Sequence, residues 1–283
     1  MTLELSALVL PAFDDLPDVP SEAAPWHDRY ALDNTLEIEG LSVPIRYSEN
    51  GLGVVPTGIG KAAAATTTTA LLSDDRLDLS GALVCSVGVA GGPPDLTIGS
   101  VVLATAIVDW DDKCRFEPES DEPVPLATNP YTDGQGVFHL DRERLDQALD
   151  VGERIDLESV DGGLDTRENG RSTPQVVTGT NVCGDELWHG DELAEQVEWL
   201  VETAGVDPYR VTEMEDAGTA FALSRFGRLD QYLSVRGVSN HDRPVTDVSA
   251  RESFFSPTFE DGFETGLTNA VRVASALVDE RLR

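Results

Sequence analysis

The stretch GALVCSVGVAGG at residues 81–92 decides the fold of this 283-residue chain. Its apolar run has the length of a buried strand, and the glycines at its end indicate a turn. On one side of it, SVVLATAIVD at 100–109 predicts another buried strand. On the other side, GIGKAAAATTTTALL at 58–72 predicts a helix whose small residues suit close packing. Apolar strands that alternate with helices are typical of a mostly parallel sheet covered by helices.

The same pattern continues toward both ends of the chain. The other predicted strands are 6–12, 35–48, 52–57, 174–184 and 231–239, and the other predicted helices are 140–149, 191–205, 214–226 and 262–282. Two polar segments, 110–136 and 151–174, show little periodicity, and the first is long enough to act as a lid. Because no repeat or linker divides the chain, we expect one α/β domain over residues 1–283, with a mixed central sheet flanked by helices.

The charge of the chain is unusual. Asp and Glu total 52 against 20 basic residues, which gives a formal net charge of −32, and Lys61 and Lys113 are the only lysines. Hydrophobic residues make up 40%, enough for a folded core, so the carboxylates are expected on the surface. Their repulsion is screened at high salt, where the Debye length falls to about 3 Å at 1 M. The composition resembles that of halophilic archaeal proteins, and it disfavours nucleic acid and anionic membranes as partners.

The cysteines and the lengths of the apolar runs indicate the cellular compartment of the protein. Cys85, Cys114 and Cys183 are an odd, widely spaced set, which predicts neither a disulfide framework nor a metal site. The N-terminus lacks the positive region of a signal peptide, and no run approaches the roughly 20 apolar residues that span a bilayer. We therefore expect a soluble cytoplasmic protein.

Four segments carry a family resemblance when they are taken together and in order. They are TGIGKAAAATT (57–67), SVGVAGG (86–92), EMEDAG (213–218) and VRGVSN (235–240). In this order they resemble the nucleoside phosphorylase/nucleosidase superfamily, and GDELWHG (184–190) with SNHDRP (239–244) makes the chain most similar to its purine nucleoside permease family. The resemblance implies a phosphorylase/hydrolase-like fold, cleavage of a purine–ribose bond without metal or organic cofactor, and a homo-oligomer, a trimer or hexamer, that completes its pockets between subunits.

The EMEDAG segment is similar to the ribose-binding segment of that superfamily. The resemblance implies that Glu215 accepts hydrogen bonds from the ribose 2′- and 3′-hydroxyls, with Glu213 and Met214 beside the sugar. A carboxylate there also stabilises the positive charge that develops at the anomeric carbon during cleavage. The alternative is a solvated acid at a helix start, where the helix dipole favours it.

The SNHDRP segment bears on the base. A leaving purine needs a hydrogen-bond donor at N7, and where bacterial relatives carry Asp this chain has Asn240 after Ser239. An amide NH₂ faces two acceptors, so Asn240 favours the N7 and O6 of guanosine or inosine over adenosine. Asp242 is placed to accept from N1–H and the guanine 2-amino group. The alternatives are a turn residue for Asn240 and a surface acid for Asp242.

Four further positions are expected near the substrate by resemblance. Leu187 and Trp188 align with the segment that flanks the base, although a buried tryptophan is more often a core residue. Gly91 belongs to the glycine turn beside the ribose, where the alternative is tight packing. Arg251 aligns with an arginine at a helix start that supports the catalytic residue.

The nucleophile is either phosphate or water. Ser86 and Val89 stand where phosphorylases carry Arg and Ser, and PAFDD (11–15) lacks their arginine-bearing loop. The glycine turns are also similar to those of nucleosidases, whose base glutamate has Asp14 or Asp15 near its position. Phosphate as co-substrate has candidate ligands in Gly58, Lys61, Thr66 and Arg46, with Arg29 as a further one.

Phosphorolysis of a 6-oxopurine nucleoside to the free base and ribose 1-phosphate is the activity that we favour at this point. Hydrolysis by water is the first alternative. A nucleoside-binding component of an uptake system and an inactive acidic homologue are the others.

Overall fold

The structure is a computed structural model that describes residues 2–17, 19–117, 124–132, 134–160, 173–256 and 259–283. Strands and helices alternate along most of the chain. The strands are β1 (Leu3–Glu4), β2 (Ala7–Leu10), β3 (Asn34–Leu36), β4 (Ile45–Tyr47), β5 (Leu52–Val54), β6 (Leu77–Asp78), β7 (Leu83–Gly92), β8 (Val101–Asp109), β9 (Lys113–Arg115), β10 (Leu126–Thr128), β11 (Val137–His139), β12 (Val176–Cys183), β13 (Tyr209–Glu213) and β14 (Tyr232–His241). The helices are α1 (Ala24–Arg29), α2 (Lys61–Ser73), α3 (Arg142–Gly152), α4 (Asp191–Ala204), α5 (Asp216–Arg225), α6 (Ala250–Phe254) and α7 (Phe259–Arg281).

The centre of the fold is a ten-stranded mixed sheet with the order β11-β8-β12-β13-β7-β2-β5-β4-β3, to which β14 adds by pairing with both β7 and β8. Strand β14 is parallel to β7 and antiparallel to β8. Strands β8, β12, β13, β7 and β14 therefore close a ring, while β2 to β5 extend the sheet away from it.

Helices cover both faces of the sheet, as the sequence predicts. The alternation of β2 shows the two layers: Ala7 and Val9 pack in a core with α7 and α3, while Leu8 and Leu10 pack in a second core with α2 and α5. Both faces of the strand are buried, because side chains alternate along a strand and each face meets helices. This is why the central strands are continuous apolar runs.

Most predicted elements are found within a few residues of their predicted ends. Helix α4 ends at Gly205 in the left-handed conformation (φ 69°), the expected C-terminal stop. The single strand predicted at 35–48 is wrong: it is divided into β3 and β4, with a turn that contains Gly40 (φ 92°) between them. Helix α1 and strand β13 were not predicted, because the first lies in a Pro- and Asp-rich stretch and the second has only five residues.

The segment 110–136 is not the structureless loop that its composition predicts. Strands β9 and β10 form a two-stranded antiparallel sheet inside it. Residues 118–123 and 133 fall outside the described residues, as does half of the second polar segment, 161–172. The lid function expected for 110–136 remains a prediction.

Candidate active site

A cavity of about 210 Å³ lies where β2, β7, β13 and β14 end. Glycines and carboxylates at these strand ends form its floor, and apolar side chains form its rim. The lining residues are Ala12, Phe13, Glu22, Ile59, Val89, Ala90, Gly91, Glu186, Leu187, Trp188, Thr212, Glu213, Met214, Glu215, Ser239, Asn240, Asp242, Phe254 and Phe259. Ligands of open α/β sheets collect at such strand ends. Glu215 and Asn240, predicted at the sugar and the base, thus line one cavity.

Strand β13 and helix α5 place three carboxylates at one corner of this cavity. Glu213 accepts the backbone N–H groups of Glu215 (2.8 Å) and Asp216 (3.0 Å), so it caps the start of α5. Asn181 donates to both Glu213 (3.1 Å) and Asp216 (2.8 Å). Glu213 therefore lines the cavity as predicted, but these contacts make it a support for the α5 start.

Glu215 has fewer partners and faces the cavity. One of its oxygens accepts the backbone N–H of Gly60 at 3.1 Å, and the other lies 3.6 Å from Arg236. Gly60 has φ 91°, a conformation that glycine adopts without strain, and in this conformation its backbone N–H donates to the Glu215 carboxylate. The glycine turn predicted to bind phosphate instead holds the carboxylate that is predicted to bind ribose.

Arg236 is the cation that this corner shares. It is 2% exposed on β14, and its guanidinium contacts Glu213 at 2.9 Å, Asp216 through a short ion pair, and Ser86 at 2.8 Å. The carboxylates raise the pKa of Arg236 well above its usual range against the effect of burial. Arg236 therefore stays charged and anchors the acids around it.

Glu22 completes the group of buried acids, and it was not predicted. It is 2% exposed, and its two oxygens accept the backbone N–H groups of Ala12 (2.8 Å) and Val89 (3.0 Å). An added methyl group at Gly88 would collide with both the Glu22 carboxylate and the Arg236 guanidinium, so glycine is required there by their close approach.

Burial sets the ionisation of these acids. It raises the pKa of Glu213 to about 8, with the charge of Asp216 as the next cause. Burial raises the pKa of Glu215 to about 7 against the lowering effect of Arg236. It also raises the pKa of Glu22, again against Arg236. For Asp216, burial is outweighed by the charge and hydrogen bonds of Arg236, which lower its pKa.

The opposite wall carries the predicted base-binding residues. Ser239 donates to the side-chain oxygen of Asn240 at 2.9 Å, which orients the amide NH₂, and that NH₂ donates to the carbonyl of His241 at 2.9 Å. One N–H of the Asn240 amide remains for a ligand. Gly91 lies opposite Asn240 in the strand register, and a side chain there would contact the amide at 3.4 Å.

Asp242 lies in the cavity wall with most of its acceptor capacity in use. Arg243 donates to it at 2.7 and 3.3 Å and Tyr209 at 2.9 Å, which leaves little capacity for the two purine N–H groups predicted to bind there. Its carboxylate joins the end of β14 to β13 and α4, since Arg243 also bonds Glu198.

Apolar residues form the rim of the cavity. Met214 lines it beside the two glutamates, as predicted. Leu187 is 66% exposed at the mouth, whereas Trp188 is 6% exposed and packs against the ring of Trp110. Trp188 thus fits both of its expected roles, cavity wall and core. Arg251 is exposed on α6 and does not line the cavity, although Phe254 of the same helix does.

The predicted phosphate ligands do not converge. Lys61 is held between Asp109 (2.5 Å) and Asp111 (2.6 Å), away from the cavity lining. Thr66 is exposed on α2 and donates to the carbonyl of Ala62 in the same helix. Arg46 is exposed on β4, next to the edge strand β3. Gly58 and Arg29 are not in the cavity lining either. Of residues 58–61, Ile59 is the one that lines the cavity.

Glu22 and Arg236 are the residues that sequence reasoning missed. Arg236 carried a signal, because a lone charged residue in the apolar strand QYLSVRGVS requires buried partners. Glu22 carried none, since it stands in a loop before a short helix and reaches the site only through the fold. Asp14 and Asp15, the positions considered for a base, are absent from the cavity lining.

Comparison with known proteins identifies the family and the fold of the chain. A sequence model of the family described as purine nucleoside permease (NUP) matches residues 5–283. A "Purine nucleoside permease" of Candida albicans is 24% identical over 294 residues, which cover 92% of this chain and 72% of the yeast protein. Among the described residues, none of the helices is both long and apolar enough to span a membrane.

Solved structures share the fold at low identity. Futalosine hydrolase of Helicobacter pylori superposes with a TM-score of 0.65 at 19% identity, covering 99% of both chains. A 5′-methylthioadenosine/S-adenosylhomocysteine nucleosidase of Neisseria meningitidis gives 0.66 at 16% identity, covering 98% of this chain and 99% of that one. The predicted fold, a mixed sheet flanked by helices, is confirmed. With a family match over nearly its whole length, the chain belongs to the purine nucleoside permease family.

Proposed function

We propose that the protein hydrolyses the N-glycosidic bond of a purine nucleoside, with Glu22 as the general base that activates water. The observation that carries the proposal is a buried carboxylate with a raised pKa, held in the wall of the same cavity as Glu215 and Asn240. A base with a raised pKa removes a proton more effectively near neutral pH. The fold is shared with nucleosidases of known structure, which is consistent with water as the nucleophile.

Bond breaking is supported from two sides of the cavity. As the bond between C1′ and the purine nitrogen breaks, its electron pair moves into the base, and the Asn240 N–H stabilises the charge at N7. The sugar becomes cationic, and the carboxylate of Glu215 binds its hydroxyls and stabilises that charge. Water then bonds to C1′ and gives one proton to Glu22. The purine anion takes up a proton from solvent, and Glu22 returns its proton to solvent, which restores the carboxylate. The products are the free base and ribose.

The charges of the cavity favour water over phosphate. Glu22, Glu186, Glu213, Glu215 and Asp242 all line it. Among the described residues, the cations that pair with these acids are Arg236 at Glu213 and Glu215, Arg243 at Asp242, and Arg115 at Glu186, and none of the three lines the cavity. A dianion would enter against this potential. The dispersed positions of Lys61 and Arg46 add to the argument, so we replace phosphorolysis with hydrolysis as the preferred reaction.

The substrate preference follows from the oriented amide. Ser239 and the His241 carbonyl orient the Asn240 amide, and one N–H of its NH₂ remains for the base. That donor suits a purine edge with two neighbouring acceptors, the N7 and O6 of guanosine or inosine, better than adenosine, whose amino group is itself a donor. The assignment of hydrogen-bond roles, and with it the preference for 6-oxopurines, is part of the proposal.

The test is to incubate the protein with inosine or guanosine, with and without phosphate, and to identify the sugar by mass spectrometry. We expect free ribose at a rate that phosphate does not change. Ribose 1-phosphate that appears only with phosphate would establish phosphorolysis instead. Saturable binding of inosine without any base release would favour nucleoside binding, the role that the family name suggests.

Three properties of the protein are part of the proposal and rest on composition or resemblance. We propose a cytoplasmic enzyme, a homo-oligomer, and adaptation to high salt. The relatives found are yeast proteins, so the halophilic origin is supported by the charge of the chain alone.

A further inference from the structure

A second cavity lies on the α7 side of the sheet, lined by residues that do not line the first. It has a volume of about 410 Å³, roughly twice that of the candidate active site. Helix α1, the end of α3 and the C-terminal half of α7 form its walls. The lining residues are Arg29, Val151, Arg154, Ile155, Arg272, Ala276, Asp279, Glu280 and Arg283. A cavity of this size accommodates a small molecule.

The charge of this cavity is opposite to that of the protein. Four arginines line it, against two acidic residues, in a chain whose net charge is −32. A need to reduce repulsion among the surface acids does not explain this cluster, because arginines spread over the surface would neutralise more of those acids than arginines grouped in one place. The cluster therefore creates a local positive potential on an otherwise acidic molecule.

Two of the four arginines are engaged by the protein and two are available. Arg29 pairs with Asp279 at 3.0 Å, and Arg272 is paired with Glu158. Within the described parts of the chain, no ion pair or side-chain hydrogen bond is formed by Arg154 or Arg283. Arg154 and Arg283 are exposed side chains of the lining, which also holds the apolar Val151, Ile155 and Ala276 and the acidic Asp279 and Glu280.

We propose that this arginine cleft binds a small anion that carries one or more phosphate groups. A guanidinium presents N–H donors in a fork that matches two phosphate oxygens, so Arg154 and Arg283 supply paired hydrogen bonds as well as charge. Asp279 fixes Arg29 in position rather than cancelling the site, because Tyr30 also donates to that carboxylate at 2.8 Å. The proposal is independent of the reaction in the first cavity.

The test uses pyrophosphate as the probe and isothermal titration calorimetry as the measurement. The buffer contains the lowest KCl concentration at which circular dichroism shows the folded protein, since salt screens the interaction. The variant Arg154→Gln/Arg283→Gln removes the two available cations. The variant Arg142→Gln/Arg228→Gln makes the same change of charge outside the cleft and serves as the control.

We expect one pyrophosphate per chain, with binding weakened about tenfold or more in the cleft variant and less than about twofold in the control. Saturating inosine should leave pyrophosphate binding unchanged, because the two cavities have no lining residue in common. Absence of binding by the unmodified protein, or an equal loss in both variants, would overturn the proposal. A failure of hydrolysis in the first cavity would not affect this result.

Discussion

Replacing Glu22 by Gln tests the proposed reaction most directly. The change keeps the size of the side chain and removes its ability to accept a proton from water. Loss of a positioned general base lowers kcat by about 10²- to 10⁴-fold. We expect KM for inosine to change by less than about threefold, because the ribose hydroxyls are assigned to Glu215.

The structure also predicts what the substitution does to stability. Both oxygens of Glu22 accept a backbone N–H, from Ala12 and Val89. A glutamine amide accepts one of these bonds and presents its NH₂ group to the other donor, which leaves a buried N–H unsatisfied at a cost of about 1–3 kcal/mol. Glu22→Gln should therefore lower the free energy of unfolding by that amount while the protein still folds.

Two further variants separate catalysis from stability. Glu22→Asp keeps a carboxylate one methylene farther back, and we expect it to recover part of kcat. Glu195→Gln changes an exposed acid on α4 and should leave both kcat and unfolding unchanged. The assay is initial-rate base release from inosine at fixed salt, with urea unfolding in parallel. A Glu22→Gln protein that keeps more than about a tenth of kcat would refute a general base at this position.

Four other measurements check separate parts of the reasoning. Asn240→Asp presents an acceptor to N7 and O6, so kcat/KM for inosine at neutral pH should fall by about 10- to 100-fold, and a smaller fall for inosine than for adenosine would contradict the assignment. Because Glu215 must be ionised to stabilise the cationic sugar and its pKa is about 7, kcat/KM should decrease roughly tenfold per pH unit below that value, whereas a flat profile from pH 5 to 8 would exclude the role. Gly218→Ala places a methyl group against the carbonyl of Lys61 and should cost about 1–3 kcal/mol in urea unfolding, while Gly81→Ala, whose methyl group meets only the Arg281 side chain at an ordinary van der Waals distance of 3.7 Å, should cost much less. The free energy of unfolding should rise between about 0.2 and 2 M KCl, with NaCl equally effective, as charge screening requires; stability that is constant over this range would remove the halophilic interpretation.

Local patterns were sufficient for the strands and helices that build the core. The run at 81–92 is β7 because both of its faces are buried, and apolar continuity is the direct consequence of that burial. Gly205 ended α4 as expected because the left-handed position favours glycine. In contrast, the strand predicted at 35–48 failed because its apolar alternation continues across a turn that reverses the chain.

The residues that form the site were harder to predict from the sequence than the place of the site in the fold. Glu215 and Asn240 were predicted because each stands in a recognisable segment at a strand end; both line the cavity, and their roles remain part of the proposal. Glu22 lies in a loop, and Val89, whose N–H it accepts, is 67 residues away in the chain. No local sequence pattern predicts a contact over that separation. Lys61 illustrates the reverse error: a rare residue in a promising glycine turn is an ion-pair partner of Asp109 and Asp111.

The charges around Arg236 connect the reaction to the choice of nucleophile. One buried cation faces Glu213, Glu215 and Asp216 directly, and it offsets only part of the rise that burial causes in the pKa of Glu22, so it cannot neutralise all four acids. Asp216 keeps its charge because its pKa is lowered. Glu213 and Glu215, with pKa values of about 8 and 7, are each partly protonated near neutral pH. A neutral nucleoside enters such a site without repulsion, and the cationic sugar that forms during bond cleavage gains attraction from it. Phosphate would experience the opposite effect before the reaction began, which is why we propose that the carboxylates that stabilise the transition state also favour water as the nucleophile.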